Sequence, residues 1–279
     1  MGANELGVIP ILMYHQVIEH PRRVYDITPD RLRSDLEMLY REDYRPITAA
    51  DYVTGHIDIP PGTHPVVLTF DDSTTNQAQI GDDGEPDADT ALGILEQFGA
   101  EHEDFGPTAT FYVNTDPPPF VDDAVLPWLA GHGYEIGAHT VSHANLRRLS
   151  DEDVQEEIGK NVQDIEAAVP GYRVRTMATP FGLSPVHDEY THDGEFAGVP
   201  YQLSGVMIVD PIAAPSPFSA DFDPYRVPRI GREDADPIFA SLDEHPERRF
   251  TSDGSPDAVA YPTASGSPAP LWADRSRPY

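Results

Sequence analysis

Short apolar, β-branched runs that end in a reactive polar residue recur along this chain, with helical segments between them. Residues 8–14 run into His15, residues 65–70 into Asp71 and Asp72, residues 107–113 into Asn114, and residues 134–138 into His139. Residues 174–179, 202–209 and 225–230 supply further strands, the last carrying Arg229 near its end. Leu32, Leu36 and Leu39 give helical spacing after a Thr28-Pro29-Asp30 start, and Val154, Ile158, Val162 and Ile165 do so after Ser150. Shorter helices are predicted over 49–54, 90–98 and 122–130. Alternating strands and helices build an α/β fold with a mostly parallel sheet, open or closed. A (β/α) barrel and a doubly wound sheet both place ligands at the carboxyl ends of their strands. The spacing therefore predicts one shared site for His15, Asp71, Asp72, Asn114, His139 and Arg229.

Charge narrows the partners. Against 48 Asp+Glu the 279 residues hold 18 Lys+Arg, a formal charge of −30, and Lys160 is the only lysine. Such a surface repels nucleic acid and anionic lipid, while neutral substrates and cationic products remain compatible with it. No apolar run approaches the ~18–20 residues of a membrane span. Cysteine is absent, so disulfides and thiolate chemistry are excluded and the redox compartment is open. No signal peptide is visible before the first strand, and export with a leader already removed is equally compatible. The oligomeric state is left open.

Imidazole and carboxylate are the ligand types that hold a borderline divalent metal such as zinc, and three such ligands leave a position for water. Asp71 and Asp72 with His139 and His143 supply them. One aspartate would bind the metal and the other would take a proton from the activated water. Asp71 as a second ligand is the alternative, because both carboxylates ionise readily beside one cation. His139 and His143, four residues apart, are expected to share one face of a helical turn.

The segments Leu68-Thr69-Phe70-Asp71-Asp72-Ser73, His139-Thr140-Val141-Ser142-His143 and Ala178-Thr179-Pro180-Phe181-Gly182 are similar, in order and spacing, to motifs of polysaccharide deacetylases. These form the NodB-homology group, carbohydrate esterase family four. Pro10-Ile11-Leu12-Met13-Tyr14-His15 and Val227-Pro228-Arg229-Ile230 resemble a branch that includes poly-N-acetylglucosamine deacetylases, and the resemblance covers roughly residues 8–232. It implies a distorted, incomplete (β/α) barrel and removal of N-acetyl groups from an N-acetylated polysaccharide or oligosaccharide. Asp72, His139 and His143 become the metal ligands, zinc first with cobalt, nickel or manganese as alternatives. Asp71 becomes the general base, His15 the proton donor, and the Phe181 N–H an oxyanion donor, while Thr140 fixes the histidine loop through its hydroxyl. An extracellular or cell-surface location is implied as well.

The pattern also departs from the family in places. Ala178 stands where the third motif carries an arginine that orients the base, a role Arg229 is expected to fill, with Arg175 as the weaker candidate. Ser73 replaces a glycine and needs a less extreme backbone angle than glycine tolerates. No histidine follows His245, so the late Leu-x-His donor of many relatives is absent. Alternatives on the same fold are an O-acetyl esterase, a small-molecule amidase, or a non-catalytic carbohydrate binder.

Residues 81–89 offer oxygen donors, but their spacing does not match a calcium loop and they are read as a solvated acidic turn. Trp128 is expected in the core, and Tyr14, Tyr112 and Phe181 on the cleft walls. The barrel domain is placed at 1–250. Residues 251–279, rich in Ser, Pro and Gly, are expected to form an irregular segment packed on the barrel or trailing from it.

Overall fold

The computed structural model describes residues 2–279. Its frame is a parallel sheet that closes on itself. Strands β1 (Ile11–Tyr14), β2 (Tyr44–Ile47), β3 (His64–Asp71), β4 (Thr110–Val113), β5 (Glu135–Ala138) and β6 (Thr176–Ala178) come first. A hairpin of β7 (Asp193–Phe196) and β8 (Val199–Gln202) interrupts the series before β9 (Gly205–Val209) and β10 (Val227–Gly231). The order β1-β10-β9-β6-β5-β4-β3 becomes a ring because β1 also pairs with β3. One edge of β3 serves two partners: β2 takes His64 to Val67, and β1 takes Val67 to Phe70. The result is a closed barrel of seven parallel strands, with β2 as an appendage. This agrees with the incomplete (β/α) barrel expected.

Helices α1 (Pro29–Arg41), α2 (Ala49–Thr54), α3 (Ala91–Glu101), α4 (Val125–Gly131), α5 (Asp151–Ala168) and α6 (Arg232–Glu244) fill the connections. Capping explains where four of them begin. Thr28, Thr48, Thr90 and Ser150 each accept a hydrogen bond from a backbone N–H of the first turn, satisfying a donor the helix leaves free. Leu32, Leu36 and Leu39 of α1, and Val154, Ile158 and Ile165 of α5, are buried against the barrel's outer wall. Trp128 packs against the same core.

The strand period of two decides what faces the barrel interior. Val66, Leu68 and Phe70 of β3 belong to the outer core, whereas Val67 faces inward. Thr69 and Asp71 share the parity of Val67. The same parity puts Ile11, Met13 and then His15 inside, followed by Tyr112 and Asn114, Gly137 and His139, and Val227 and Arg229. His15, Asp71, Asn114 and His139 are thus the uppermost inward positions of their strands, while Arg229 sits lower, with Gly231 above it on β10, and Asp72 follows Asp71 with the opposite parity. Tyr14 has the opposite parity, so the structure corrects its placement on the cleft wall. It stacks on Phe70 in the outer core at 5.2 Å and donates its hydroxyl to Asp35.

At the other mouth α2 seals the interior. Its Ala49 N–H donates to Thr110 Oγ1 and its Ala50 N–H to Glu135 Oε2, while Glu135 Oε1 accepts from Thr176. After Ser252 the chain forms β11 (Val259–Tyr261) and β12 (Ser276–Pro278), paired in parallel. Backbone N–H groups of Asp253 and Ala260 donate to the Glu5 carboxylate, tying this stretch to the N-terminal segment. The acidic loop around Gly81 closes on itself through Gly81 N–H to Glu85 O and Glu85 N–H to Asp83 Oδ1. No helix among the described residues is long and apolar enough to cross a membrane.

Candidate active site

At the carboxyl ends of the strands lies a cavity of about 450 Å³ lined by His15, Asp71, Asp72, Asn114, His139, His143 and Phe181, with Arg23 and Tyr25 at its edge. Every residue expected to bind the metal or act in catalysis, except Arg229, lines it directly. Arg229 sits beneath the floor, fully buried, and reaches Asp71 from below.

Both oxygens of Asp71 are held by one guanidinium. Arg229 Nη1 donates to its Oδ1 at 2.6 Å and Nη2 to its Oδ2 at 2.7 Å, a bidentate fork, and Nη1 also donates to Thr69 Oγ1 at 3.0 Å. Burial alone would raise the Asp71 pKa. The Arg229 guanidinium, and after it His139, outweigh burial and hold the carboxyl well below the usual carboxylate range. Tyr112 shares the inward parity but is buried below the cavity, so it too is not a cleft wall. Its ring instead carries the guanidinium, whose centre lies 5.2 Å from the ring centroid. The Tyr112 hydroxyl hydrogen-bonds Thr176 at 3.1 Å, which continues to Glu135 on the barrel floor.

Asp72, His139 and His143 form a convergent trio, with one ligand atom from each within 4.8 Å of the others. Asp72 Oδ1 lies 3.5 Å from His139 Nε2 and 3.4 Å from His143 Nε2, yet it is buried without a hydrogen-bond partner among the described residues. A tetrahedral centre with bonds of ~2.0–2.1 Å spaces neighbouring ligand atoms ~3.3–3.4 Å apart. An orphaned carboxylate oxygen at that spacing from two imidazole nitrogens fits a divalent cation. His139 is preset as a ligand, because its Nδ1–H donates to Ala178 O at 2.8 Å and leaves the Nε2 lone pair facing Asp72. Burial lowers the His139 pKa, but Asp71 and Asp72 raise it further than burial lowers it. His143 is lowered, by burial first and then by His139. The His143 ring rests edge-on against Phe181 at 4.6 Å.

The two histidines do not share a helical turn. Beyond β5 the chain bends, and the left-handed residues Thr140 (φ 67°) and His143 (φ 56°) fold the loop back so that both rings converge. The Thr140 hydroxyl accepts from Ala144 N–H at 3.2 Å. Asp72 (φ 79°), Ser73 (φ 48°) and Phe181 (φ 59°) are left-handed as well, so backbone strain gathers at this site. At φ 48° Ser73 stays clear of the larger angles only glycine reaches easily. Its hydroxyl accepts from Asn114 N–H at 3.2 Å, a bond glycine could not make. Gly182 N–H donates to Thr179 O and Leu183 N–H to Pro180 O, while the Phe181 N–H has no partner among the described residues.

Asn114, expected at this site, turns out to support the histidine loop, whereas sequence reading missed Asn161 and Tyr25. Asn114 donates to the carbonyls of His139 and Thr140, and Asn161 Oδ1 accepts from His139 N–H at 3.1 Å. Asn161 left a signal, since it falls three residues after Ile158 on the buried stripe of α5, where an amide needs partners. Tyr25, whose ring lies 4.6 Å from that of His15, left none.

The sequence profile described as polysaccharide deacetylase matches residues 58–200. No curated protein matches the chain. Among solved structures, the Streptococcus pyogenes deacetylase PplD in complex with acetate is similar at 19% identity and a TM-score of 0.62, over 80% of this chain and 91% of that one. IcaB from Ammonifex degensii is similar at 17% identity and a TM-score of 0.58, over 84% and 96%. The de-N-acetylase from Aggregatibacter actinomycetemcomitans is similar at 15% identity and a TM-score of 0.55, over 80% and 94%. At these identities the structural likenesses speak for the fold.

Proposed function

The chain belongs to the polysaccharide deacetylase family, and from that premise we propose that it is a metal-dependent hydrolase of N-acetyl groups on an N-acetylated polysaccharide. The observation that carries the reading is the pair of neighbouring aspartates in opposite circumstances. Asp71 is neutralised by Arg229, and Asp72 is left with a free oxygen between two imidazoles. Asp72, His139 and His143 would hold the cation, zinc being the ion their donor set suits best. Bound there, a divalent cation polarises the acyl carbonyl and acidifies water.

This chain's own residues do the rest. Asp71 stays ionised at neutral pH, and each of its oxygens keeps a lone pair beyond the one given to Arg229, so it can accept the proton of the attacking water. The free Phe181 N–H at the cavity wall donates to the oxyanion that develops on the acyl oxygen. His15 protonates the departing nitrogen, which would otherwise leave as an amine anion. That need favours an amide over an ester substrate, because an alkoxide leaves more readily without a proton.

The experiment is acetate release from N-acetylated and O-acetylated oligosaccharides after zinc is added to chelator-treated protein. Release from the N-acetyl substrate is expected, and His15→Ala should slow it by about 10²–10⁴, the usual worth of a general acid. Release from esters alone would overturn the assignment.

A further inference from the structure

Arg23 is exposed at the cavity edge, and nothing in the scheme above uses it. In a chain with 48 acidic residues against 18 basic ones, no carboxylate lies within 4.0 Å of its guanidinium among the described residues. The nearby acid, Asp26, is turned toward the backbone rather than the guanidinium, and its second oxygen is buried without a partner among the described residues. Asp26 Oδ2 accepts from the backbone N–H groups of Arg22 and Arg23, both at 2.9 Å, and Asp26 N–H donates to Arg23 O. The loop is pinned at its base as well, by Ile18 N–H to Ile27 O and Ile27 N–H to Gln16 O. A fixed backbone thus presents an unpaired cation.

Tyr25 sets the direction of that cation. Arg23 Nη1 donates to the Tyr25 hydroxyl at 2.8 Å, and the Tyr25 ring lies against His15. The guanidinium is therefore one aromatic ring away from the residue placed at the leaving nitrogen. Among the described residues its remaining N–H groups have no partner, in the planar fork that matches a carboxylate. Of the other charges around the cavity, Asp71 is neutralised by Arg229, and Asp72 would be neutralised by a bound cation. The loaded cleft is then locally positive within a chain of formal charge −30. At physiological salt the wider negative surface is screened over ~8 Å, whereas a contact pair is not.

We propose that Arg23 binds a carboxylate carried by the substrate next to the acetylated sugar, so that the preferred polymer is an acidic N-acetylated glycan. This rests on the deacetylase reading above. The test compares wild type with Arg23→Gln, zinc-loaded, on three oligosaccharides. One is built of N-acetylglucosamine alone. The second alternates N-acetylglucosamine with glucuronic acid, and the third alternates it with N-acetylmuramic acid. The two acidic arms tell whether the carboxylate sits on the neighbouring ring or on a lactyl ether.

For wild type, kcat/KM is expected to be higher on at least one acidic substrate than on the neutral one. Arg23→Gln should lower that value about tenfold or more, through KM, while changing the neutral substrate less than about twofold. Equal effects on all three, or no effect, would overturn the proposal. Should wild type release acetate from none of them, the deacetylase reading fails instead. Calorimetric binding of the acidic oligosaccharides then decides the role of Arg23: weaker binding by Arg23→Gln supports it, and unchanged binding refutes it.

Discussion

Arg229 and Asp71 meet 158 residues apart in sequence as a fully buried bidentate pair, at 2.6 and 2.7 Å. The guanidinium reaches Asp71 of β3 from β10, across β1, which lies between these two strands in the ring. Removing one partner of such a pair leaves a bare charge in the interior. Arg229→Gln is therefore expected to lower the unfolding free energy by about 3–5 kcal/mol. It should also cost more activity than Arg229→Lys, which keeps the charge and loses the fork. Chemical denaturation and acetate release check the two parts.

Gly137 makes room for the ring on which Arg229 rests. A Cβ added there would lie 2.3 Å from Tyr112 Cε1. Gly137→Ala should push the ring toward the guanidinium, costing about 1–3 kcal/mol of stability as overpacking. Because Arg229 would shift with it, kcat should fall while metal content stays at the wild-type level. An unchanged kcat in the destabilised variant would show that Tyr112 does not support Arg229.

Far from the site, Glu5 offers a test by pH. Burial, the largest influence, pushes its pKa up from 4.5 to about 7, and backbone N–H groups of Ala260 and Asp253 only partly offset it. The folded chain thus holds a proton that the unfolded chain releases between those two values. Stability from this group is unaffected below about pH 4.5, falls as pH rises to about 7, and is flat above. Glu5→Gln, neutral throughout, carries a fixed cost for its misplaced amide. Its stability relative to wild type should therefore improve between about pH 4.5 and 7, by at most ~3 kcal/mol. Urea unfolding of both proteins at about pH 4.5 and about pH 8 measures it.

Strand ends were legible in the sequence because each apolar run stops at a residue whose side chain would be costly to bury. The same pattern contained the parity that the cleft-wall reading of Tyr14 overlooked. Counting by twos from His15 leaves Tyr14 outside the barrel, and counting from Asn114 leaves Tyr112 inside it but below the floor. The approach of His139 to His143 was not legible, because it depends on left-handed turns at Thr140 and His143 that non-glycine residues seldom announce. Closure of the ring was hidden too, since β1 and β2 share one edge of β3 and no sequence period marks the division. The loop carrying Arg23 and Tyr25 is shaped by backbone bonds to Asp26, which in the sequence looks like any other acidic residue of an acidic chain.

The proposed chemistry turns on the division of labour between Asp71 and Asp72, and a single paired measurement reaches it. Metal content by mass spectrometry and acetate release from an N-acetylated oligosaccharide are recorded on wild type, Asp71→Asn and Asp72→Asn, each loaded with zinc and dialysed. Bound zinc with activity is predicted for wild type, retained zinc with activity lost for Asp71→Asn, and zinc lost for Asp72→Asn. Full activity in Asp71→Asn, or zinc retained by Asp72→Asn and lost from Asp71→Asn, would contradict that division.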